Sequence, residues 1–128
     1  MTQSLNDFTE QLRQFRDARN WKQFHTLRNL IVSLNLEAAE LLELTQWKTD
    51  ADLDPASQDG VLREALRDEC ADVLMYLLFI ADAAGIDLLD AARNKLEKNG
   101  VRYPVAEAWG SSAKAPALRP ADGASDPG

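Results

Sequence analysis

The sequence predicts an all-α fold, a bundle of about four helices, and three observations support this prediction. Apolar residues recur three and four positions apart along several stretches of the chain. Alternation of apolar and polar residues with a period of two never lasts for the length of a strand. The stretches are bounded by residues that favour helix ends, such as Ser4, Gly85 and Gly100.

The predicted helices follow one another with short connections. They cover residues 6–19, 27–48, 61–84 and 88–99. Residues 20–26 contain two aromatic side chains and the only histidine, and we expect a tight turn there. Residues 49–60 are rich in Asp, Pro, Ser and Gly, which is typical of a loop. Gly100 is expected to end the fourth helix.

The third predicted helix indicates an oligomer. Between Val73 and Ile80 this helix is apolar nearly all the way round, which is typical of burial on more than one side. In a chain of 128 residues, this pattern predicts that a partner subunit completes the cover. We expect a homodimer or a homotetramer.

Length and composition predict one folded domain. The chain has 128 residues, of which 45% are hydrophobic and 27% are charged, as in ordinary globular proteins. We expect the domain to span residues 1–106. Residues 107–128 contain few large apolar side chains, and we expect them to form a flexible C-terminal tail.

Charge and hydropathy argue against two classes of partner. The net charge of −7 argues against polymeric nucleic acid, whose recognition needs a basic stripe. The longest mostly apolar run, Ala71–Ile86, is interrupted by Asp72 and Asp82 and is too short to span a membrane. Neither end resembles a signal peptide, and we expect a cytoplasmic protein. Cys70 has no cysteine partner and is expected to pack on an apolar helix face.

An acid interrupts the apolar stripe of the second predicted helix. At about 100° per residue, Leu30, Leu34 and Leu41 share one narrow stripe, and Glu37 lies in its middle. Glu40 follows one turn later at the border of the stripe. A carboxylate in an apolar face is costly unless it is protonated, paired or bound to a metal. The pair therefore indicates a site, although glutamates three residues apart are also common on solvated helix faces.

The third predicted helix carries a second acid pair, Glu69 and Asp72. If the two helices pack together, four carboxylates share one cavity, and such a cluster needs protons or cations because like charges repel. Ligation by oxygen alone favours magnesium, with manganese as the second candidate. A di-iron centre is disfavoured because the only histidine, His25, does not follow a glutamate by three positions.

A magnesium site of this kind suits the hydrolysis of phosphoanhydrides. The ion binds phosphate oxygens and stabilises the charge that develops when water attacks phosphorus. A glutamate that is not fully engaged by the metal can orient or deprotonate that water. The competing hypothesis is a non-enzymatic helical dimerisation or adaptor module in which the acids pair with Arg28, Arg63 and Arg67.

Several side chains near the acid pairs allow two interpretations. Four aromatic side chains could stack on a nucleobase, but each is also typical of a core. They are Trp21, Phe24, Trp47 and Tyr76. His25 is as typical of a hydrogen-bonded structural histidine as of a functional one. The first helix contains three arginines that we expect to form a solvated face, Arg13, Arg16 and Arg19.

Polar residues also gather near the end of the fourth predicted helix. They are Lys95, Asn99, Arg102 and Tyr103. From composition alone, this group is expected to be a solubilising helix end whose positive charges suit the helix dipole.

Four motifs together resemble one known family. They are NWKQFH, NLEAAELLELTQWK, DECADVLMYLL and KLEKNGVRYP, in this order over about residues 5–105. Their combination is similar to that of the MazG-like all-α nucleoside triphosphate pyrophosphohydrolases, and most closely to the dCTP pyrophosphatase branch. The resemblance implies a magnesium-dependent homo-oligomer that hydrolyses a (deoxy)nucleoside triphosphate to the monophosphate and pyrophosphate. The expected substrate is dCTP or a related pyrimidine nucleotide.

The resemblance also implies roles for individual residues. The implied metal ligands are Glu37, Glu40, Glu69 and Asp72. The implied nucleoside pocket contains Trp21, His25, Trp47 and Tyr76. The residues implied to hold the phosphates are Lys95, Asn99, Arg102 and Tyr103. Glu37 and Glu40 are the expected catalytic residues.

Three positions depart from the family pattern. Leu27 stands where many relatives have proline, and Thr45 stands where an aromatic residue is usual. Leu12 stands where the vertebrate-like enzymes have a pocket histidine. A pocket without this hydrogen-bonding group is expected to discriminate less strongly between bases.

Overall fold

The computed structural model describes residues 3–56 and 60–115. Its α-helices are α1 (Leu5–Ala18), α2 (Leu27–Glu43), α3 (Gly60–Ala84), α4 (Leu88–Arg102) and α5 (Val105–Ala108). A short 3-10 helix, Lys22–Phe24, connects α1 to α2. The described residues contain no strand, and the predicted all-α fold class is confirmed.

The chain forms two compact units, one ending at Leu88 and the other beginning at Leu89. In the first unit α2 packs extensively along α3, and α1 also contacts α3. The buried apolar core contains one residue of α1, one of α2 and two of α3. These are Leu12, Leu30, Leu78 and Ala81. All three long helices of this unit therefore contribute to one core.

Side-chain caps lie at the starts of α1 and α2, and the cap at Ser4 was predicted. The Ser4 hydroxyl accepts a hydrogen bond from the amide of Asp7, and the Asp7 carboxylate accepts one from the amide of Ser4. Thr26 caps α2 in the same way through the amide of Asn29. Gly85 ends α3 with a φ of 68°, a conformation that glycine adopts without strain.

Two predicted helix ends were wrong. The second helix stops at Glu43 and not near residue 48, because the Thr45 hydroxyl bonds to the Leu42 carbonyl and Trp47 has a φ of 63°. The fourth helix continues through Gly100 to Arg102. A glycine inside a helix costs only about 1 kcal/mol, so one glycine alone does not end this helix.

The arginines of α1 do not form the solvated face that was expected. Arg16 is only 7% exposed, and it pairs with Asp17 on α1 and with Asp82 on α3. Arg13 donates through Nε and Nη2 to the same Asp82 oxygen at 2.8 and 2.6 Å. These ion pairs join α1 to α3.

Cys70 is exposed, so the expectation that it packs on an apolar face was wrong. The turn that carries Cys70 also contains two outward-facing neighbours, Asp68 and Ala71.

No helix of the described residues has the length and the apolarity needed to cross a membrane.

Candidate active site

The acid predicted to interrupt the apolar stripe of α2 does so. Glu37 is partly buried, and its stripe neighbours Leu34 and Leu41 are partly buried as well, with Leu30 only 2% exposed. Glu40 is exposed one turn further along α2. Glu37 therefore stands among the residues by which α2 packs on α3, while Glu40 stands at their edge.

Three of the four predicted metal ligands lie together. Glu37, Glu40 and Glu69 each offer a carboxylate oxygen, and these oxygens lie within 4.8 Å of one another. Asp72 falls outside this compact triad. It is close enough that its negative charge raises the pKa of both Glu37 and Glu69.

Two carboxylates of this cluster, Glu37 and Glu69, resist ionisation. Burial, a hydrogen bond with Glu40 and the surrounding negative charges raise the pKa of Glu37 from 4.5 to about 7. Burial and the charge of Glu40 also raise the pKa of Glu69. Oε2 of Glu37 and Oε2 of Glu69 are buried and have no hydrogen-bond partner among the described residues. The fold thus brings acids together, and no salt bridge among residues 3–56 and 60–115 supplies them with a cation.

This donor set fits a hard divalent cation. The triad offers carboxylate oxygens only, which are the ligands that magnesium and manganese prefer. A buried oxygen without a partner is costly, and a bound cation would satisfy it. The unpartnered oxygens of Glu37 and Glu69 are therefore the structural reason to consider a metal here.

The ion pairs proposed under the adaptor hypothesis are not present among the described residues. Arg67 lies 3.7 Å from Glu64, its neighbour on the same helix, and the other salt bridges among these residues belong to α1 and Asp82. None of them includes Glu37, Glu40 or Glu69. Internal salt bridges therefore do not account for the acid cluster.

A pocket of about 540 Å³ opens beside the acids. Roughly 300 to 1,000 Å³ is usual for a small-molecule site. Helix α1 lines the pocket at positions i, i+3, i+4 and i+7, and α3 lines it with the same spacing. The α1 residues are Phe8, Gln11, Leu12 and Phe15. The α3 residues are Asp72, Met75, Tyr76 and Phe79. Trp21, His25 and Glu37 complete the wall.

The turn after α1 determines where Trp21 lies. Asn20 has a φ of 56°, its amide donates to the Asp17 carbonyl, and the amide of Trp21 donates to the Arg16 carbonyl. This is the hydrogen-bond pattern of a Schellman helix end, in which asparagine is one of the few residues that tolerate a positive φ. The Trp21 ring then meets the Phe15 ring edge-on at a centroid distance of 5.7 Å.

His25 follows the 3-10 helix and forms part of the pocket wall. Its ring meets Phe79 edge-on at 4.7 Å, and its Nδ1 is buried without a hydrogen-bond partner among the described residues. Burial and the positive charge of Arg16 lower the pKa of His25. The imidazole is therefore neutral near pH 7 and has one nitrogen free to accept or donate a hydrogen bond.

The structure does not bring Trp47 to this pocket. Trp47 is 94% exposed and borders a different hollow together with Lys48, Asp52 and Val61. The other three predicted nucleoside-binding residues, Trp21, His25 and Tyr76, line one pocket.

The predicted phosphate-holding residues belong to the second unit. Lys95, Asn99 and Arg102 lie four and three positions apart, so they share one face of α4. Arg102 donates through Nη2 to the Ala115 carbonyl, and the Tyr103 hydroxyl accepts from the Ala115 amide at 3.1 Å. The structure therefore groups these residues and attaches the segment at Ala115 to two of them.

The sequence contained a signal for pocket residues that were not predicted. On α1 and α3 the lining positions repeat at the same spacing, and each stripe mixes apolar with polar side chains. Gln11 borders the apolar stripe of α1, whereas Glu37 lies within the stripe of α2. The spacing of Phe8, Leu12 and Phe15 was therefore the available signal, and Gln11 follows from it only as their neighbour.

Comparison with known proteins gives a consistent result. Residues 32–118 match the model of the MazG-like family. The chain is 40% identical over 111 residues to dCTP pyrophosphatase 1 of Rattus norvegicus and of Homo sapiens, covering 87% of this chain. It spans 65% of the length of these relatives. The crystal structure of a pyrophosphatase from Archaeoglobus fulgidus is similar with a TM-score of 0.72 and 39% identity, covering 81% of this chain and 95% of that one.

Proposed function

This chain belongs to the MazG-like family, and we propose on that basis that it is a nucleotide pyrophosphohydrolase. The proposed reaction converts a (deoxy)nucleoside triphosphate and water to the nucleoside monophosphate and pyrophosphate. The observation that carries the proposal is the cluster of Glu37, Glu40 and Glu69, whose oxygens converge within 4.8 Å beside a pocket. The names of the relatives, dCTP pyrophosphatase 1 and pyrophosphatase, agree with this chemistry.

In this proposal the acids of α2 and α3 bind magnesium, with manganese as the alternative ion. Glu37, Glu40 and Glu69 would hold the metal, and Asp72 would complete the set from the pocket wall. Bound magnesium would neutralise phosphate oxygens and the charge that develops on the leaving pyrophosphate.

The remaining chemistry falls to the carboxylates. Water adds to phosphorus, the bond between the α- and β-phosphates breaks, and a carboxylate accepts the proton of the water. Glu37 and Glu40 are the proposed catalytic residues. The carboxylate that takes the proton is the one of these two whose oxygens are not all engaged by the metal.

The pocket suits a nucleoside. Trp21 and Tyr76 supply aromatic surface for a flat base, and His25 supplies a neutral imidazole with an unpartnered Nδ1. We propose dCTP or a related pyrimidine nucleotide as the substrate, in agreement with the names of the relatives. Trp47 remains a proposed part of the nucleoside site even though it lines a different hollow in this subunit.

The group on α4 is proposed to hold the phosphates. Lys95 and Arg102 provide positive charge on one helix face, and Asn99 lies between them. Tyr103 follows directly. Cations on a shared face are suited to anionic oxygens. The residues 1–106 are proposed as the catalytic domain and residues 107–128 as a tail.

Self-association is part of the proposal. Four large apolar side chains on α2 and α3 are between 38% and 62% exposed, which is unusual for two helices that pack on each other through apolar faces. They are Ile31, Val32, Leu36 and Leu74. A second copy of the chain, in a homodimer or a homotetramer, would cover such surface. Light scattering of the purified protein tests the oligomeric state.

We propose the cytoplasm as the compartment of this protein.

The activity is tested directly with a panel of triphosphates. We expect pyrophosphate and a monophosphate as products, dependence on magnesium or manganese, and the highest kcat/KM for a pyrimidine deoxynucleotide. Release of orthophosphate instead of pyrophosphate would contradict the proposal, and so would the absence of turnover with either metal.

A further inference from the structure

Gln11 is a polar residue of the pocket wall that has no role in the proposed reaction. It lies on α1 one turn after Phe8 and one turn before Phe15, on the face that lines the pocket. The lining residues that the structure describes include acids, a histidine and a tyrosine, but Gln11 alone carries a carboxamide.

The Gln11 carboxamide is not needed to hold the fold together. Gln11 is exposed, and no hydrogen bond, ion pair or ring contact joins its side chain to another residue in the described ranges 3–56 and 60–115. Arg13, two residues further along α1, is by contrast tied to Asp82. An exposed polar side chain on a pocket wall without a structural partner is solvated by water as long as the pocket is open.

A ligand that fills the pocket would displace the water that forms hydrogen bonds with this carboxamide. A flat ring between Trp21 and Tyr76 would exclude water from the wall, and the carboxamide would lose hydrogen bonds unless the ring replaces them. A carboxamide presents a donor and an acceptor side by side, which matches the paired donor and acceptor on the edge of a nucleobase. The acids of the wall only accept when ionised, so they do not match such an edge.

We propose that Gln11 is a specificity-determining residue, whose carboxamide forms paired hydrogen bonds with the edge of the bound base. This inference rests on the proposed function for the identity of the ligand as a pyrimidine nucleotide. For cytosine, Oε1 of Gln11 accepts from the exocyclic amine and Nε2 donates to the neighbouring ring nitrogen. Gln11 thus supplies base recognition in a pocket where Leu12 has no hydrogen-bonding group.

The test is a binding cycle between two ligands and two variants. The ligands are dCMP and the analogous nucleotide of 2-pyrimidinone, which lacks only the exocyclic amine. The variants are Gln11→Met, which keeps the size of the side chain, and Gln14→Met, a matched change on α1 at an exposed position that does not line the pocket. Neither ligand has a phosphoanhydride bond to hydrolyse, so calorimetry in the presence of magnesium measures binding independently of turnover.

We expect the unsubstituted protein to prefer dCMP over the pyrimidinone nucleotide by about tenfold, because the pyrimidinone lacks the amine that donates to Oε1 of Gln11 and leaves this oxygen unpaired. Gln11→Met should bind the two ligands with about equal affinity, and Gln14→Met should keep the preference for dCMP. A preference that survives in Gln11→Met would overturn the proposal, and so would equal binding of the two ligands to the unsubstituted protein.

This experiment separates the proposal from the activity on which it rests. If the protein releases no pyrophosphate but its preference for dCMP depends on Gln11, the proposed reaction is wrong and the assignment of Gln11 stands. If the protein hydrolyses triphosphates and its preference does not depend on Gln11, only the assignment of Gln11 is wrong.

Discussion

Glu37 and Asp82 are both partly buried acids in the first unit, yet their surroundings are opposite. Asp82 accepts hydrogen bonds from Arg13 and Arg16, and these cations lower its pKa. Glu37 meets other carboxylates, and burial with its acidic neighbours raises its pKa to about 7. Burial alone therefore does not mark an acid as functional. The absence of a cationic partner among the described residues is what sets Glu37 apart.

The largest expected effect comes from the acid without a cation. Replacing Glu37 by glutamine should lower kcat for pyrophosphate release by at least about a hundredfold, because a proposed base and metal ligand is lost. The matched control is Glu43→Gln, since Glu43 is exposed on the same helix. Full activity of Glu37→Gln would show that the acid without a cationic partner is not needed for the reaction.

The second effect concerns the acid that has its cations. Replacing Asp82 by asparagine should lower the free energy of unfolding by about 2 kcal/mol, because the buried Arg16 loses a charged partner. Urea unfolding measures this change, and Asp68→Asn provides an exposed control on the same helix. If Asp82→Asn left stability unchanged and abolished turnover, Asp82 would belong to the site and the comparison would fail.

A third experiment adds the missing cation. Magnesium at ten times its Kd should raise the free energy of unfolding by about 1.4 kcal/mol, because it binds only the folded acid cluster. The gain should disappear in Glu69→Gln and persist in Asp82→Asn. Thermal unfolding with and without magnesium measures both. An equal gain in all three proteins would indicate metal binding elsewhere.

The smallest effect is a pair of opposite pH dependences. Glu37 has a raised pKa, so its contribution to metal-free stability is present below pH 4.5 and is lost as pH rises through about 7. Asp82 has a lowered pKa, so its contribution is present above pH 3.8 and is lost as pH falls below that value. Each should amount to about 1 kcal/mol after solvent screening.

The pH profiles of two variants assign these contributions. Unfolding of metal-free Glu37→Gln should show a smaller decline in stability between pH 5 and about 8, because only the raised pKa of Glu69 still contributes. Asp82→Asn should keep the full decline. A wild-type profile that does not decline in that range would show that Glu37 ionises without cost.

The sequence was sufficient for features that depend on neighbours along one helix. Glu37 was recognisable because its position within an apolar stripe follows from helix geometry alone. The fold class and most helix starts were predictable for the same reason, since Ser4 and Thr26 act on amides three residues away. The cluster of Glu37 with Glu69 needed one further assumption, that α2 packs on α3.

Features that depend on distant partners were not predictable. Arg16 looked like part of a solvated face because its partner Asp82 lies on α3, far away in sequence. The end of α2 was misplaced because the left-handed conformation of Trp47 has no signal in its residue type. Gln11 borders an apolar stripe, as many solvent-facing residues do, and its position on the pocket wall appears only when α1 and α3 are together.

The segment after α5 shows how a stretch of little sequence character can still be constrained. Arg102 and Tyr103 hold Ala115 only through its carbonyl and amide, so its methyl group takes no part in either contact. Any amino acid with an amide hydrogen would serve at this position, and proline alone would break the contact with Tyr103. Spacing matters instead, because an insertion or deletion between Pro104 and Ala115 would present a different peptide group. Evolution can therefore change the letters of this segment more freely than its length.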